Sequence, residues 1–135
     1  MDSENFKRDI EILMADQDVQ FKLKKLEIWH LSNNQIHILD WLLLKSPNLI
    51  DLHIRYLKDN MWRKDLEIKS ELNIKKLKFS IRSEWAIHFF KELIGRAQSL
   101  VEIIYLHNSN TTISLPFFEA LSHLKSLKSL ILNVE

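Results

Sequence analysis

Leu49-Ile50-Asp51-Leu52-His53-Ile54 carries an apolar motif, Leu-x-x-Leu-x-Ile, that recurs along the chain at nearly constant spacing. The other copies are Leu23-x-x-Leu26-x-Ile28, Ile74-x-x-Leu77-x-Phe79, Leu100-x-x-Ile103-x-Tyr105 and Leu127-x-x-Leu130-x-Leu132. Their middle anchors stand at positions 26, 52, 77, 103 and 130, so successive copies are 26, 25, 26 and 27 residues apart. A period in the twenties indicates a stacked repeat, in which each unit buries its apolar side against its neighbours.

The composition limits the classes of protein to which the chain can belong. Its 135 residues suit one domain, which we assign to 1–135, and the 46% hydrophobic and 27% charged residues are typical of a globular protein. A net charge of +1 gives no general attraction to nucleic acid or membrane. The absence of cysteine excludes disulfides and thiolate chemistry, and a single glycine, Gly95, excludes glycine-rich phosphate-binding loops.

The N-terminus and the most apolar stretch of the sequence bear on targeting and membrane insertion. The first nine residues are polar and include acids, so they do not resemble a signal peptide. The most apolar stretch, 36–44, contains His37 and Asp40 and is far shorter than the ~20 residues that span a bilayer. The sequence therefore predicts a cytoplasmic or nuclear protein without a membrane segment.

Segments with helical periodicity lie between the motifs. The clearest spans 83–98, where Ser83 is a suitable N-cap and the apolar residues form one stripe. That stripe consists of Ala86, Phe89, Phe90, Leu93, Ile94 and Ala97. Further helices are predicted over 34–45, with Ile36, Leu39, Leu42 and Leu43 inward, and over 115–125, with Phe117, Phe118, Leu121 and Leu124 inward.

Two segments complete the predicted organisation. An N-terminal helix over about 3–17 is expected to cap the first unit, because terminal repeats need a polar cover. The segment 61–72 fits neither period well, so we predict a short or irregular segment on the convex side, open between helix and strand. Strands joined by helical crossovers pair in parallel, so the five motifs predict one parallel sheet.

The motifs resemble those of the leucine-rich repeat family, whose consensus is L-x-x-L-x-L-x-x-N. The segment 43–54 is most similar to the longer, helix-bearing repeats of ribonuclease-inhibitor-like and F-box-associated proteins. The resemblance implies an α/β leucine-rich-repeat solenoid, with a short curved parallel sheet and helices on the convex side. The ninth consensus position departs from the family, because only Asn108 matches there and the others are Leu31, Leu57, Arg82 and Glu135. An irregular solenoid is therefore expected.

Residues between the anchors are expected to point away from the core onto the concave face of the sheet, since strand side chains alternate. This outward set is Lys25, Glu27, Trp29, Asp51, His53, Arg55, Lys76, Lys78, Ser80, Glu102, Ile104, Leu106, Ser129, Ile131 and Asn133. Trp29 and Arg55 are natural interface anchors, and mixed charge favours a protein partner. The alternatives are that the N-terminal helix or a flanking loop covers Trp29 and that the polar residues are merely solvated.

No chemical site is evident in the remaining residues. The histidines show no metal-ligand spacing, and no nucleophile–base–acid motif can be read. We therefore predict no catalytic residue, no metal and no cofactor. A basic stripe is the one sign of nucleic-acid binding, because several lysines on adjacent rungs can contact phosphates. It consists of Lys24, Lys25, Lys75, Lys76 and Lys78.

The sequence thus predicts a non-catalytic scaffold for protein–protein recognition, which binds a partner through its concave face. One alternative is the substrate-recognition region of an F-box-type ubiquitin ligase adaptor, and another is a structural subunit of an RNA-containing assembly. The last motif, at 127–132, leaves an apolar sheet edge near the end of the sequence. A fragment of a longer protein, a dimer through this edge strand and a larger assembly all stay open as explanations.

Overall fold

The computed structural model describes residues 3–16, 18–31, 35–55, 68–81, 84–107 and 115–134. Its elements, in chain order, are α1 Ser3–Met14, β1 Lys25–Ile28, α2 Ile36–Leu44, β2 Asp51–Ile54, β3 Lys76–Ile81, α3 Glu84–Gly95, β4 Glu102–His107, α4 Leu115–Ser122 and β5 Ser129–Val134. Most of the segment 61–72 lies outside the described residues. Its described part, 68–72, is irregular, and both Ile68 and Leu72 are buried.

The described strands form one five-stranded sheet in the order β1-β2-β3-β4-β5, and every neighbouring pair is parallel. The register aligns the motifs, since the middle anchors Leu26, Leu52, Leu77, Ile103 and Leu130 stand side by side. The α/β class and the parallel pairing predicted from the motif spacing are confirmed. Each motif supplies one strand, which places residues 25 to 27 positions apart next to each other.

One backbone contact recurs at the entry to each of the strands β2 to β5. The carbonyl of Lys24 accepts hydrogen bonds from the N–H groups of Ile50 and Asp51, at 3.0 and 3.1 Å. The carbonyls of Ile50, Lys75 and Val101 each accept the corresponding two bonds from the following unit. Main-chain groups therefore connect the units in the same manner at four successive steps, and no particular side chain is required for it.

A second recurring feature is the turn that precedes β2, β4 and β5. In each turn an N–H group bonds the carbonyl three residues earlier, namely Leu49 to Ser46, Leu100 to Ala97 and Leu127 to Leu124. The side chains of the three residues whose carbonyls accept these bonds, at 46, 97 and 124, are buried at equivalent positions. This turn ends the helices earlier than predicted, so α3 stops at Gly95 and α4 at Ser122.

The core lies between the sheet and the helices α2, α3 and α4. Phe79 of β3 is its centre, because its ring stacks on Phe90 at 4.2 Å and also meets Tyr105 at 5.2 Å and Phe117 at 5.9 Å. The whole stripe predicted for α3 and its following turn is buried. Burial of this aromatic group raises the pKa of the Tyr105 hydroxyl to about 12, since the phenolate would lose its hydration.

The structure corrects parts of the predicted core. Phe118, predicted to point inward from α4, is 38% exposed, whereas Phe117 beside it is buried. Leu42 is only half-buried, and Trp41 takes the buried position with its ring edge-on to Phe21 at 5.6 Å. The N-terminal segment forms the helix Ser3–Met14, which is shorter than the predicted 3–17, and its capping role stays a prediction.

A polar contact anchors α2 to the segment that leads into β3. The Asp40 carboxylate accepts hydrogen bonds from the Lys69 and Ser70 N–H groups at 3.0 and 3.1 Å and from the Ser70 hydroxyl at 2.9 Å. These partners are about thirty residues apart in sequence. The contact positions the segment 68–75, and with it the strand that forms the middle of the sheet.

Candidate functional site

The face of the sheet that points away from the helices carries the predicted outward residues, and we call it the open face. The strand register arranges them in three rows that cross the strands. Row one is Lys25, Asp51, Lys76, Glu102 and Ser129. Row two is Glu27, His53, Lys78, Ile104 and Ile131. Row three contains Ser80, Leu106 and Asn133, with Trp29 and Arg55 directly after β1 and β2.

Row one alternates in charge from strand to strand. Lys25 stands opposite Asp51, Asp51 stands opposite Lys76, and the Lys76 ammonium lies 3.6 Å from the Glu102 carboxylate. Cross-strand neighbours of opposite charge attract each other, so the lysines of this row are compensated within the sheet. Two lysines of the predicted basic stripe, Lys25 and Lys76, therefore alternate with acids on the open face.

Row two changes from charged to apolar across the sheet. The His53 Nδ1 lies 3.5 Å from the Glu27 carboxylate, while Lys78 stands opposite His53 on the other side. Burial of the imidazole, followed by repulsion from Lys78, lowers the pKa of His53 below its ordinary value of 6.5, and Glu27 opposes this lowering. The Nε2 atom is buried and makes no hydrogen bond to the described part of the chain. Neutral His53 thus lies between the Glu27 carboxylate and the Lys78 ammonium group.

An exposed aromatic–cation pair occupies the β1–β2 end of row three. Trp29 is 59% exposed, and the guanidinium carbon of Arg55 lies 4.1 Å from the centroid of its ring. The Arg55 N–H donates to the Ile28 carbonyl at 2.8 Å, which fixes the backbone beneath the pair. Trp29 is therefore accessible on the open face, and the described N-terminal helix does not cover it.

An apolar group lies at the β4–β5 end of the open face, among the polar residues Glu102, Ser129 and Asn133. Ile104 and Leu106 are half-buried on β4, and Ile131 on β5 is 45% exposed. They are neighbours in the register, because Ile104 pairs with Ile131 and Leu106 with Asn133. The open face is thus divided between a charged side with an exposed indole and an apolar side.

The structure brings all of the predicted face residues onto one surface, and none of them is fully buried. The arrangement within that surface was not predicted: it comprises the alternating charges, the His53–Glu27 contact and the stacking of Arg55 on Trp29. Comparing equivalent positions of successive motifs reveals the first of these, since Lys, Asp, Lys and Glu follow one another at 25, 51, 76 and 102. The side-chain contacts depend on the rotamers that the folded chain adopts.

Within the described ranges, no three His, Asp or Glu side chains are grouped so that they could hold a metal ion. None of the described helices has both the length and the apolar character needed to cross a bilayer. The chain matches no protein-family model, no curated protein and no solved structure at a significant level.

Proposed function

We propose that this chain is a leucine-rich-repeat solenoid that recognises a protein partner through its open face. Support for the repeat architecture comes from five parallel strands in chain order, from the aligned anchors and from the backbone contact that recurs at four steps. The irregular ninth position is compatible with this architecture, because main-chain groups already connect the units.

The observation that carries the functional proposal is the accessible Trp29 with Arg55 stacked on it. Tryptophan and arginine are the residue types most enriched among interface hot spots. An indole on a rigid sheet loses little conformational entropy when a partner covers it, since its backbone and its neighbour are already fixed. The pair would act as the anchor of the interface, without a catalytic step.

The two halves of the open face suggest what the partner presents. The charged side offers Lys78 and Arg55 beside Glu27, and the apolar side offers Ile104 and Leu106. A surface that combines charged and apolar groups complements this arrangement, because charges set the orientation and apolar contacts supply affinity. The alternating acids of row one disfavour binding to the phosphate backbone of a nucleic acid, because such binding depends on cations that are not already compensated.

Affinity capture from source-cell lysate with quantitative mass spectrometry tests this proposal. The baits are the wild-type chain, the open-face variant Trp29→Ala/Arg55→Glu and the control variant Phe118→Ala/Lys91→Glu. The control also removes an exposed aromatic ring and reverses an exposed cation, but on the helices. Circular dichroism verifies that each bait is folded.

We expect a protein that is captured by the wild type and the control and is lost from the open-face variant. Equal capture by all three baits, or loss only from the control, would overturn the proposal, because the interface would then lie elsewhere. Recovery dominated by RNA that dissociates in high salt would assign the lysines a role in phosphate binding instead.

A further inference from the structure

The edge strand β5 carries no charged residue, unlike the other four strands of the described sheet. Its sequence is Ser129-Leu130-Ile131-Leu132-Asn133-Val134. Proteins usually place charged side chains on edge strands, because unpaired N–H and C=O groups there can pair with another chain. The opposite edge follows this rule, since β1 contains Lys25 and Glu27.

Apolar surface is concentrated at the same edge. The anchors Leu52, Leu77 and Ile103 of the inner strands are completely buried, whereas Leu130 is 40% exposed. Leu132, the second anchor of β5, is 48% exposed. The corresponding anchors of β1 are half-buried, so the two edges of the sheet are not equivalent. The surface that remains to be covered therefore belongs to β5 rather than to both ends.

Within residues 129–133 of β5, the side chains are symmetrical in character about Ile131. Leu130 and Leu132 flank it on the helix side of the sheet, and the polar residues Ser129 and Asn133 follow on the open face. Antiparallel pairing of two such strands about Ile131 places leucine opposite leucine and serine opposite asparagine. A twofold interface requires this self-complementarity, because the same patch serves both partners.

The backbone of β5 is oriented for the same pairing. The Ser129 N–H donates to the Val101 carbonyl of the preceding unit at 3.1 Å, so Ser129, Ile131 and Asn133 direct their backbone groups toward β4. Because these directions alternate along the strand, the backbone N–H and C=O groups of Leu130 and Leu132 point to the outer edge. In the antiparallel pair these two leucines exchange hydrogen bonds with their counterparts, and the two Ile131 residues form a non-hydrogen-bonded pair.

We infer that the edge of β5 binds a second copy of this chain and forms an isologous dimer with a continuous ten-stranded sheet. The twofold axis is perpendicular to the sheet, so the open faces of both copies lie on the same side. The apolar residues Ile104, Leu106 and Ile131 of the two copies then adjoin at the centre, with a charged side at each end. This inference stands independently of the proposed function.

The complete lack of cysteine allows a register-specific test, because each introduced thiol is the only one in its chain. In the inferred register the Ile131 Cα atoms are about 4.5 Å apart, within reach of a disulfide. The Cα atoms of the two Ser129 residues are about 13 Å apart, which is too far. The variants are Ile131→Cys, Ser129→Cys and Asn133→Cys, tested alone and in pairs under mild oxidation.

We expect Ile131→Cys to form a covalent dimer alone, and Ser129→Cys to do so only when mixed with Asn133→Cys. Sedimentation equilibrium of the cysteine-free wild type should show a monomer–dimer equilibrium, which Ile131→Lys shifts to monomer by placing like charges together on the axis. A wild type that stays monomeric at every concentration would overturn the inference. Efficient self-coupling of Ser129→Cys, or growth into species larger than dimers, would overturn the twofold register.

Discussion

The Arg55 guanidinium lies 4.1 Å from the centre of the Trp29 ring, and both residues stand on the open face at neighbouring positions of successive units. A cation over an indole is attracted by the electrons of the ring. Each residue thereby restricts the side-chain conformations of the other, and the pair presents a flat, rigid and partly charged surface. This is the feature that most distinguishes the open face from an ordinary solvated sheet.

The Trp29–Arg55 pair is expected to contribute little to the stability of the fold. Trp29→Ala and Arg55→Ala should each lower the free energy of unfolding by about 1 kcal/mol or less, since both side chains are exposed. Chemical denaturation of the single and double variants should give a coupling energy of about 0.5–1 kcal/mol, the range for exposed cation–π pairs. A coupling energy of zero would show that the stacking is not maintained in solution.

Truncation of a side chain at the aromatic centre of the core is expected to lower stability far more. Phe79→Ala removes a fully buried ring that contacts three other aromatic residues, and it should cost about 3–5 kcal/mol of stability. The matched control Phe118→Ala, which truncates an exposed ring of α4, should cost about 1 kcal/mol. Urea denaturation measures both. Similar losses for the two variants would contradict the arrangement of the core.

Ser46 offers a stabilising substitution. Its hydroxyl is buried without a hydrogen-bond partner among the described residues, and Ala97 and Leu124 occupy the equivalent turn position in later units. Ser46→Ala removes this uncompensated polar group and should raise the free energy of unfolding by about 1 kcal/mol. Thermal and urea denaturation test this expectation. A loss of stability would mean that the hydroxyl is paired after all.

The lowered pKa of His53 predicts how stability depends on pH. The unfolded chain binds this proton near the ordinary pKa of 6.5, whereas the folded chain binds it only at lower pH. The contribution of neutral His53 to the free energy of unfolding is therefore fully present above pH 6.5. It is lost as the pH falls from there toward the pKa of His53 in the folded chain. His53→Gln, which cannot titrate, should show a smaller loss of stability across that window.

Two independent measurements check this assignment. NMR titration should find the pKa of His53 below 6.5 in the wild type, and Lys78→Met should move it upward by removing a repelling charge. Glu27→Gln should move it downward, because that carboxylate favours the protonated ring. Parallel pH profiles of stability for wild type and His53→Gln would contradict the link between this pKa and folding.

The sequence was sufficient for the strands and for the face on which each residue lies. Phe79 illustrates why, since its place in the motif and the period of the repeat together assign it to the core. The sequence was insufficient where contacts between distant segments decide which residue is buried. Trp41 rather than Leu42 is buried because Phe21 packs against it, and Asp40 is committed to Ser70 thirty residues away.

The candidate site shows the same division. Alternation along each strand predicted which residues share the open face, because side-chain direction is a local property of an extended backbone. The neighbours across the strands depend on the register, which the motifs also align. The stacking of Arg55 on Trp29 and the position of His53 beside Glu27 depend on rotamers chosen in the folded protein. Those details could not be read from spacing alone.

Hydroxyl-radical footprinting of the captured complex tests the central claim, that a partner binds the open face, without altering the chain. Oxidation of Trp29 and of the apolar residues Ile104 and Leu106 should fall when the partner is bound, relative to the free protein. Oxidation of Phe118 on α4 should stay unchanged, since that ring is exposed on the helices. Undiminished oxidation of Trp29 together with protection of Phe118 would contradict the account and place the interface on the helical side.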